Sequence, residues 1–209
     1  QTWYKDTIVN VFSTTKIMGS LCLLMLVDRG LVDLNAPGAK YWPEFGQAGK
    51  ENIPVKYLLS HSSGVSGFDQ KITVEDLYDS DKMATMLAAQ KPWWTPGARS
   101  GYQTVSFSFL IGHLVKLVSG KTLGTFFRDE IANPLGIDFH IGTPIELDSR
   151  IADVVSKPVP VSWIEKNFLR VATPMTAKGI LNPDPNKLVP AANTRAWRAC
   201  ELPSSNGHG

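Results

Sequence analysis

Ser13 and Lys16 stand three positions apart in Ser13-Thr14-Thr15-Lys16. On a helix, positions three apart share a face, with Cβ atoms roughly 5–6 Å apart. A serine hydroxyl is a weak nucleophile until a base within hydrogen-bond reach takes its proton. A lysine one turn on is such a base when burial or nearby positive charge depresses its pKa. A helix starting here adds a field that favours negative charge at Ser13, and its first-turn N–H groups are free to bind an oxyanion. The plainer explanation of the pattern is a serine N-cap followed by an exposed lysine. The pattern occurs once in the chain.

Tyr102 is a second chemically capable residue. It follows the turn-forming run Pro96-Gly97-Ala98-Arg99-Ser100-Gly101 and precedes a helical pattern. That places it on a loop at a helix start, in the positive end of the helix field. A phenol of pKa about 10 becomes a usable base only beside cations, and Lys16 is a candidate. The alternative is a packed tyrosine with a satisfied hydroxyl.

The elements that must position these groups are helical. Residues 6–12 are apolar and β-branched and read as a short strand or extended lead-in. A helix opens at Ser13-Thr14, carries Ile17, Leu21, Leu24 and Met25, and stops at Asp28-Arg29-Gly30. Leu23, Leu26 and Val27 fill the gaps in its stripe, so this helix is expected to be buried nearly all round. Short or long helices are expected at 55–59, 73–89 with Thr73 as N-cap, 105–118 with Gly120 as C-cap, and 122–131, ended by Asn133-Pro134. Residues 61–67 read as a loop. Beyond Gly136 the prolines multiply, and only two short helices are expected, near 144–152 and 161–173.

Composition narrows the class. The 209 residues are 43% hydrophobic and 19% charged, with a net charge of +2, as in an ordinary globular chain. The charges are scattered, so no nucleic-acid partner is expected. The longest apolar run, 21–27, is too short to span a bilayer. Cys22 reads as a buried small hydrophobe, and nothing in the spacing pairs it with Cys200. The four histidines are far apart and form no spaced metal motif, so no metal is expected.

Three segments, in order, carry a resemblance: FSTTKIMGSLCLLMLVDRGLVDLNAPGAKYWPEF, LLSHSSGV and WWTPGARSGYQTVSFSFLIGHLVKLVSGKTLGTFF. Together they resemble the β-lactamase-like serine hydrolases, which include class C β-lactamases, D-alanyl-D-alanine carboxypeptidases, penicillin-binding proteins and family VIII carboxylesterases. The resemblance covers residues 7–142. It implies an α+β fold of the β-lactamase/DD-peptidase type, with Ser13 as nucleophile, Lys16 as its partner and Tyr102 as the tyrosine of the second motif. It also implies a small-molecule ester, or a β-lactam, as substrate, and no cofactor.

Two departures qualify the resemblance. Many β-lactamases and peptidases of this kind show Tyr-x-Asn, whereas here Thr104 stands in the third place, as a candidate substrate-binding residue. That favours the esterases. The Lys/His-Ser/Thr-Gly triplet expected downstream is absent: neither Gly120-Lys121-Thr122-Leu123 nor Asn206-Gly207-His208-Gly209 fits it. Much of the antiparallel sheet is also missing from the pattern. The chain is therefore expected to be one incomplete domain, 1–209: a lead-in and nucleophile helix (1–31), a helical region with the second motif (32–142) and an irregular Pro-rich segment (143–209). The leading expectation is a serine carboxylesterase working through an acyl-serine. The alternatives are a β-lactamase or D-alanyl-D-alanine carboxypeptidase, and a non-catalytic homologue that binds a partner.

The remaining candidates read as structural. His61, His113 and His140 are expected to be hydrogen-bonded packing residues. Trp93 and Trp94, and the group Tyr41, Trp42 and Phe45, are expected to pack rather than form a ligand box. Gly64-Val65-Ser66-Gly67 lacks the spacing of a G-x-S-x-G elbow. Trp197 and Arg198 have no role that the sequence assigns.

Overall fold

The computed structural model describes residues 2–155 and 178–209. The lead-in forms a short strand, β1 (Ile8–Val9), followed by a 3-10 turn (Phe12–Thr14) and helix α1 (Thr15–Asp28). Helix α2 (Val55–Leu59) matches its expected bounds. The long apolar-periodic stretch becomes α4 (Ser106–Ser119), closed by Gly120 in the left-handed conformation, as its lack of a Cβ allows.

Two expected helices are broken. Residues 73–89 split at Asp79 into a 3-10 turn (Glu75–Tyr78) and α3 (Ser80–Ala89). The carboxylate of Asp79 accepts the Lys82 N–H and caps α3, while Thr73 exchanges hydrogen bonds with Asp76 at the earlier turn. Each segment thus has its own cap, and the chain turns between them. Residues 122–131 begin as α5 (Leu123–Phe127), widen into a π turn (Arg128–Ala132) and run on through α6 (Asn133–Leu135) to left-handed Gly136. Asn133-Pro134 does not end this helix: Asn133 keeps right-handed helical angles, and the chain turns only at left-handed Gly136. The stretch near 144–152 is a 3-10 helix (Ile145–Arg150) leading into β3 (Ile151–Ala152). The helix expected at 161–173 lies outside the described residues. Near the end of the chain follow α7 (Pro185–Ala192), α8 (Arg195–Ala199) and β4 (Gly207–His208).

Strand content among the described residues is small. β1 pairs in parallel with β3, and β2 (His140–Ile141) pairs antiparallel with β4. An Asn10–His208 bridge links the two ribbons. The terminal residues 207–209 therefore run beside the lead-in to α1, with Val11 N–H donating to the Gly207 carbonyl and Val9 N–H to the Gly209 carbonyl.

The core lies between α1, α3, α4 and α5. Leu23 and Leu26 of α1 meet a layer built from Phe107, Phe109, Leu110 and Leu114 of α4, Leu87 of α3 and Phe126 of α5, all of them buried. The expectation that α1 is buried all round is corrected. Ile17, Leu21 and Leu24 are 63%, 39% and 44% exposed. These positions recur at helical spacing, so they line one exposed face of the helix.

Candidate active site

The site begins with the turn before α1. Phe12 adopts φ 44°, a left-handed conformation uncommon outside glycine. Buried Thr15 holds this turn: its hydroxyl donates to the Phe12 carbonyl at 2.5 Å and accepts the Gly207 N–H at 2.9 Å. Ser13 is left exposed on the 3-10 turn, and no side-chain cap bond is made there. Lys16, one turn on, is 7% exposed and points inward.

Three groups surround the Lys16 ammonium. Its Nζ lies 3.1 Å from Ser13 Oγ, 2.9 Å from the Thr104 carbonyl oxygen and 3.1 Å from the Ser204 carbonyl oxygen. The Tyr102 ring centroid is 4.8 Å away. Burial pushes the lysine pKa down to about 7, because the charged form loses its hydration.

Tyr102 reaches the lysine from a loop moulded against residues 61–66. Gly101 N–H donates to the His61 carbonyl, Ser66 Oγ to the Gly101 carbonyl, Gly97 N–H to the Ser62 carbonyl and Trp93 N–H to the Gly64 carbonyl. Gly101 is required for this approach. A Cβ there would lie 2.3 Å from Trp94 Cη2 and 3.0 Å from Ser66 Oγ. Gln103, fully buried, donates from its side-chain amide to Ser63 Oγ at 3.1 Å.

Thr104 enters differently from its sequence reading. Its backbone carbonyl holds Lys16, while its Oγ1 is buried and has no hydrogen-bond partner among the described residues.

Residues 202–205 supply what the sequence reading missed. The carbonyl of Ser204 is the third group at Lys16. Ser204 N–H donates to Ser108 Oγ of α4 at 2.9 Å. Asn206 clamps the turn from behind: Oδ1 accepts the Leu202 N–H, and Nδ2 donates to the carbonyls of Trp197 and Cys200. Asn10 adds a further tie, donating to the Ser205 carbonyl and accepting from Trp197 Nε1. Fully buried Trp197 thus anchors the wall behind the lysine. Short polar residues near a run of turns gave no periodic signal, and contacts over 188 residues in sequence have none to give.

Other candidates settle away from the serine. His113 sits against Trp42, with ring centroids 4.5 Å apart, and His140 contacts Asp138 at 2.9 Å. Trp93 Nε1 donates to Asp69, and Trp94 Nε1 to the Arg99 carbonyl. Cys22 and Cys200 are free thiols, both pushed up to about 12 by burial. Among the described residues, no helix is long and apolar enough to cross a membrane.

The chain belongs to the Beta-lactamase family, whose profile it matches over residues 1–196. It is 38% identical over 155 residues to the esterase/beta-lactamase LipL of Mycobacterium tuberculosis, covering 73% of this chain and 36% of LipL. It superposes on the crystal structure of a family VIII carboxylesterase with a TM-score of 0.86 at 38% identity, over 99% of this chain and 53% of that one. EstA from Arthrobacter nitroguajacolicus gives a TM-score of 0.86 at 31% identity, over 100% and 55%. The chain therefore spans about half the length of these solved relatives, and less of LipL.

Proposed function

We propose that this chain carries the nucleophile, base and tyrosine of a serine hydrolase that cleaves small carboxylic esters through an acyl-serine intermediate. The observation that carries the reading is the set of partners at Lys16 Nζ. The carbonyls of Thr104 and Ser204 can only accept hydrogen bonds. In a neutral amine they take its two N–H groups. The remaining direction, occupied by the lone pair, faces Ser13 Oγ. With a pKa near 7, that neutral amine is well populated at ordinary pH.

In the proposed cycle Ser13 Oγ attacks the ester carbonyl carbon as its proton passes to Lys16. The Ser13 N–H, at the start of the turn, is assigned as one donor to the oxyanion. Tyr102, over the ammonium, passes the proton to the departing alkoxide as the carbon–oxygen bond breaks. A water molecule, deprotonated by the same pair, then releases the carboxylic acid and restores Ser13 O–H. Burst kinetics with a nitrophenyl ester on the full gene product tests this, with Ser13→Ala as the control. Unchanged turnover in that variant rules the assignment out.

A second reading, β-lactam or peptide hydrolysis, draws on the similarity to LipL, whose name joins both activities. Against it stands Thr104, with a buried hydroxyl where many β-lactamases and peptidases of this family place an asparagine. Mass analysis for an adduct on Ser13 after exposure to a chromogenic cephalosporin separates the two.

A further inference from the structure

His61 grips the Tyr102 loop on both sides. The Gly101 N–H, just before the tyrosine, donates to the His61 carbonyl at 2.9 Å. The residue just after it, Gln103, gives His61 Nδ1 a partner in either tautomer: its backbone N–H at 3.3 Å when Nδ1 accepts, and its side-chain Oε1 at 3.0 Å when Nδ1 donates. The imidazole also packs on the phenol ring between these contacts, with centroids 5.0 Å apart, and on Phe107 at 5.7 Å. The backbone of His61 is itself held at φ 60°. Among the described residues only three non-glycine residues have positive φ. Of these, Phe12 precedes Ser13 and His61 brackets Tyr102, while Ala48 lies in a remote turn. Such conformations persist where surrounding contacts over-determine them, and they concentrate at working sites.

We infer that His61 is a positioning residue for Tyr102, fixing the phenol over Lys16 through its carbonyl, Nδ1 and ring face. The inference rests on the hydrolase reading above, because a tyrosine without a role needs no such support. The charged and titratable groups facing the imidazole are Lys16 from α1 and Tyr102 from its own loop. Burial holds the histidine pKa below its usual value, the Gln103 contact opposes this, and Lys16 adds to the lowering. A neutral ring therefore supports the tyrosine without placing a second cation beside the lysine.

The substitution His61→Gly deletes the ring and Nδ1 while accepting positive φ freely, so the backbone path and the Gly101 bond are kept. His61→Asn restores a polar atom at the Nδ1 position and tolerates the same backbone conformation. With a nitrophenyl ester and the full gene product, kcat of His61→Gly is expected to fall by about 100-fold, as for a reacting group misplaced by about 1 Å. KM should change little, and His61→Asn should recover most of the loss. In a cycle with Tyr102→Phe, the His61→Gly penalty should vanish, because its target hydroxyl is already gone. The same penalty in both backgrounds, or no recovery in His61→Asn, overturns the inference. Ser13→Ala is measured alongside: undiminished turnover there overturns the hydrolase reading and this inference with it, whereas a crippled Ser13→Ala with additive His61 losses overturns the inference alone.

Discussion

The Lys16 amine lies 3.1 Å from Ser13 Oγ with its other two bonding directions taken by the carbonyls of Thr104 and Ser204. Those two carbonyls come from distant parts of the chain, one at the start of α4 and one from a turn near the end of the described residues. Together they fix the direction of the third. This is why the lysine, rather than the serine, is the organising residue of the site.

The first prediction concerns pH. Burial lowers the Lys16 pKa from 10.5 to about 7, so the neutral amine predominates above that value. Ester hydrolysis should rise with pH through an ionisation near 7 and lose about a thousandfold in Lys16→Met. Stability moves in the same sense. Between about 7 and 10.5 the unfolded chain holds a proton that the folded chain has released, so unfolding becomes harder as pH rises through that window. Lys16→Met removes this ionisation, so the melting temperature of the native protein should rise relative to that of Lys16→Met as pH increases through the window. A difference between the two that stays constant from about pH 6 to pH 10 contradicts a lysine pKa lowered by burial.

Tyr102→Phe separates the hydroxyl from the ring. The ring contacts with Lys16 and His61 remain, so the melting temperature should not change. Turnover should fall by about two to four orders of magnitude if the phenol moves the proton. Steady-state kinetics and thermal unfolding on one preparation check both halves.

Asn206→Ala tests the turn behind the lysine. The substitution leaves the Leu202 N–H without its acceptor and the carbonyls of Trp197 and Cys200 without a shared donor, all in a buried region. A loss of about 2–3 kcal/mol is expected from unsatisfied buried groups. Denaturant unfolding measures it. Turnover should also drop, because the Ser204 carbonyl is no longer held toward Lys16.

Gly101→Ala tests the close approach of the tyrosine loop. The added methyl would overlap Trp94 Cη2, so either the indole or the loop must move. Because the backbone groups of Gly101 are bonded to His61 and Ser66, displacement of the loop carries Tyr102 with it. Lower kcat with a modest fall in melting temperature is the expected outcome. Native kinetics would show that the indole alone gives way.

Local signals were legible and remote ones were not. The α1 and α4 helices stood out because their apolar residues recur at helical spacing, and Gly120 marked an end by chemistry that acts within one turn. The Ser13–Lys16 pairing was legible for the same reason. The break at Asp79 was hidden because the periodicity on either side is continuous, although an aspartate is itself a residue type favoured at a helix N-cap. The bare side of α1 was misread, since residue type shows that Ile17, Leu21 and Leu24 are apolar but not what faces them. Lys50 illustrates the limit from the other direction. It is fully buried, donates to the Gln47 and Gln90 carbonyls and lies over the Phe45 ring, yet nothing in its neighbours distinguishes it from a surface lysine. At Thr104 the contact with Lys16 is made by the backbone carbonyl, a group every residue possesses. His61 and Ser204 depend on partners 42 and 188 residues away, beyond any spacing rule.

The central claim is that Ser13 is acylated with help from Lys16. Rapid mixing of the full gene product with a nitrophenyl ester, followed by acid quench and peptide mass analysis, tests it most directly. The account predicts a nitrophenol burst, an acyl group on the peptide containing Ser13, and the loss of both in Ser13→Ala. An acyl group on another residue, or an undiminished burst in Ser13→Ala, would contradict it.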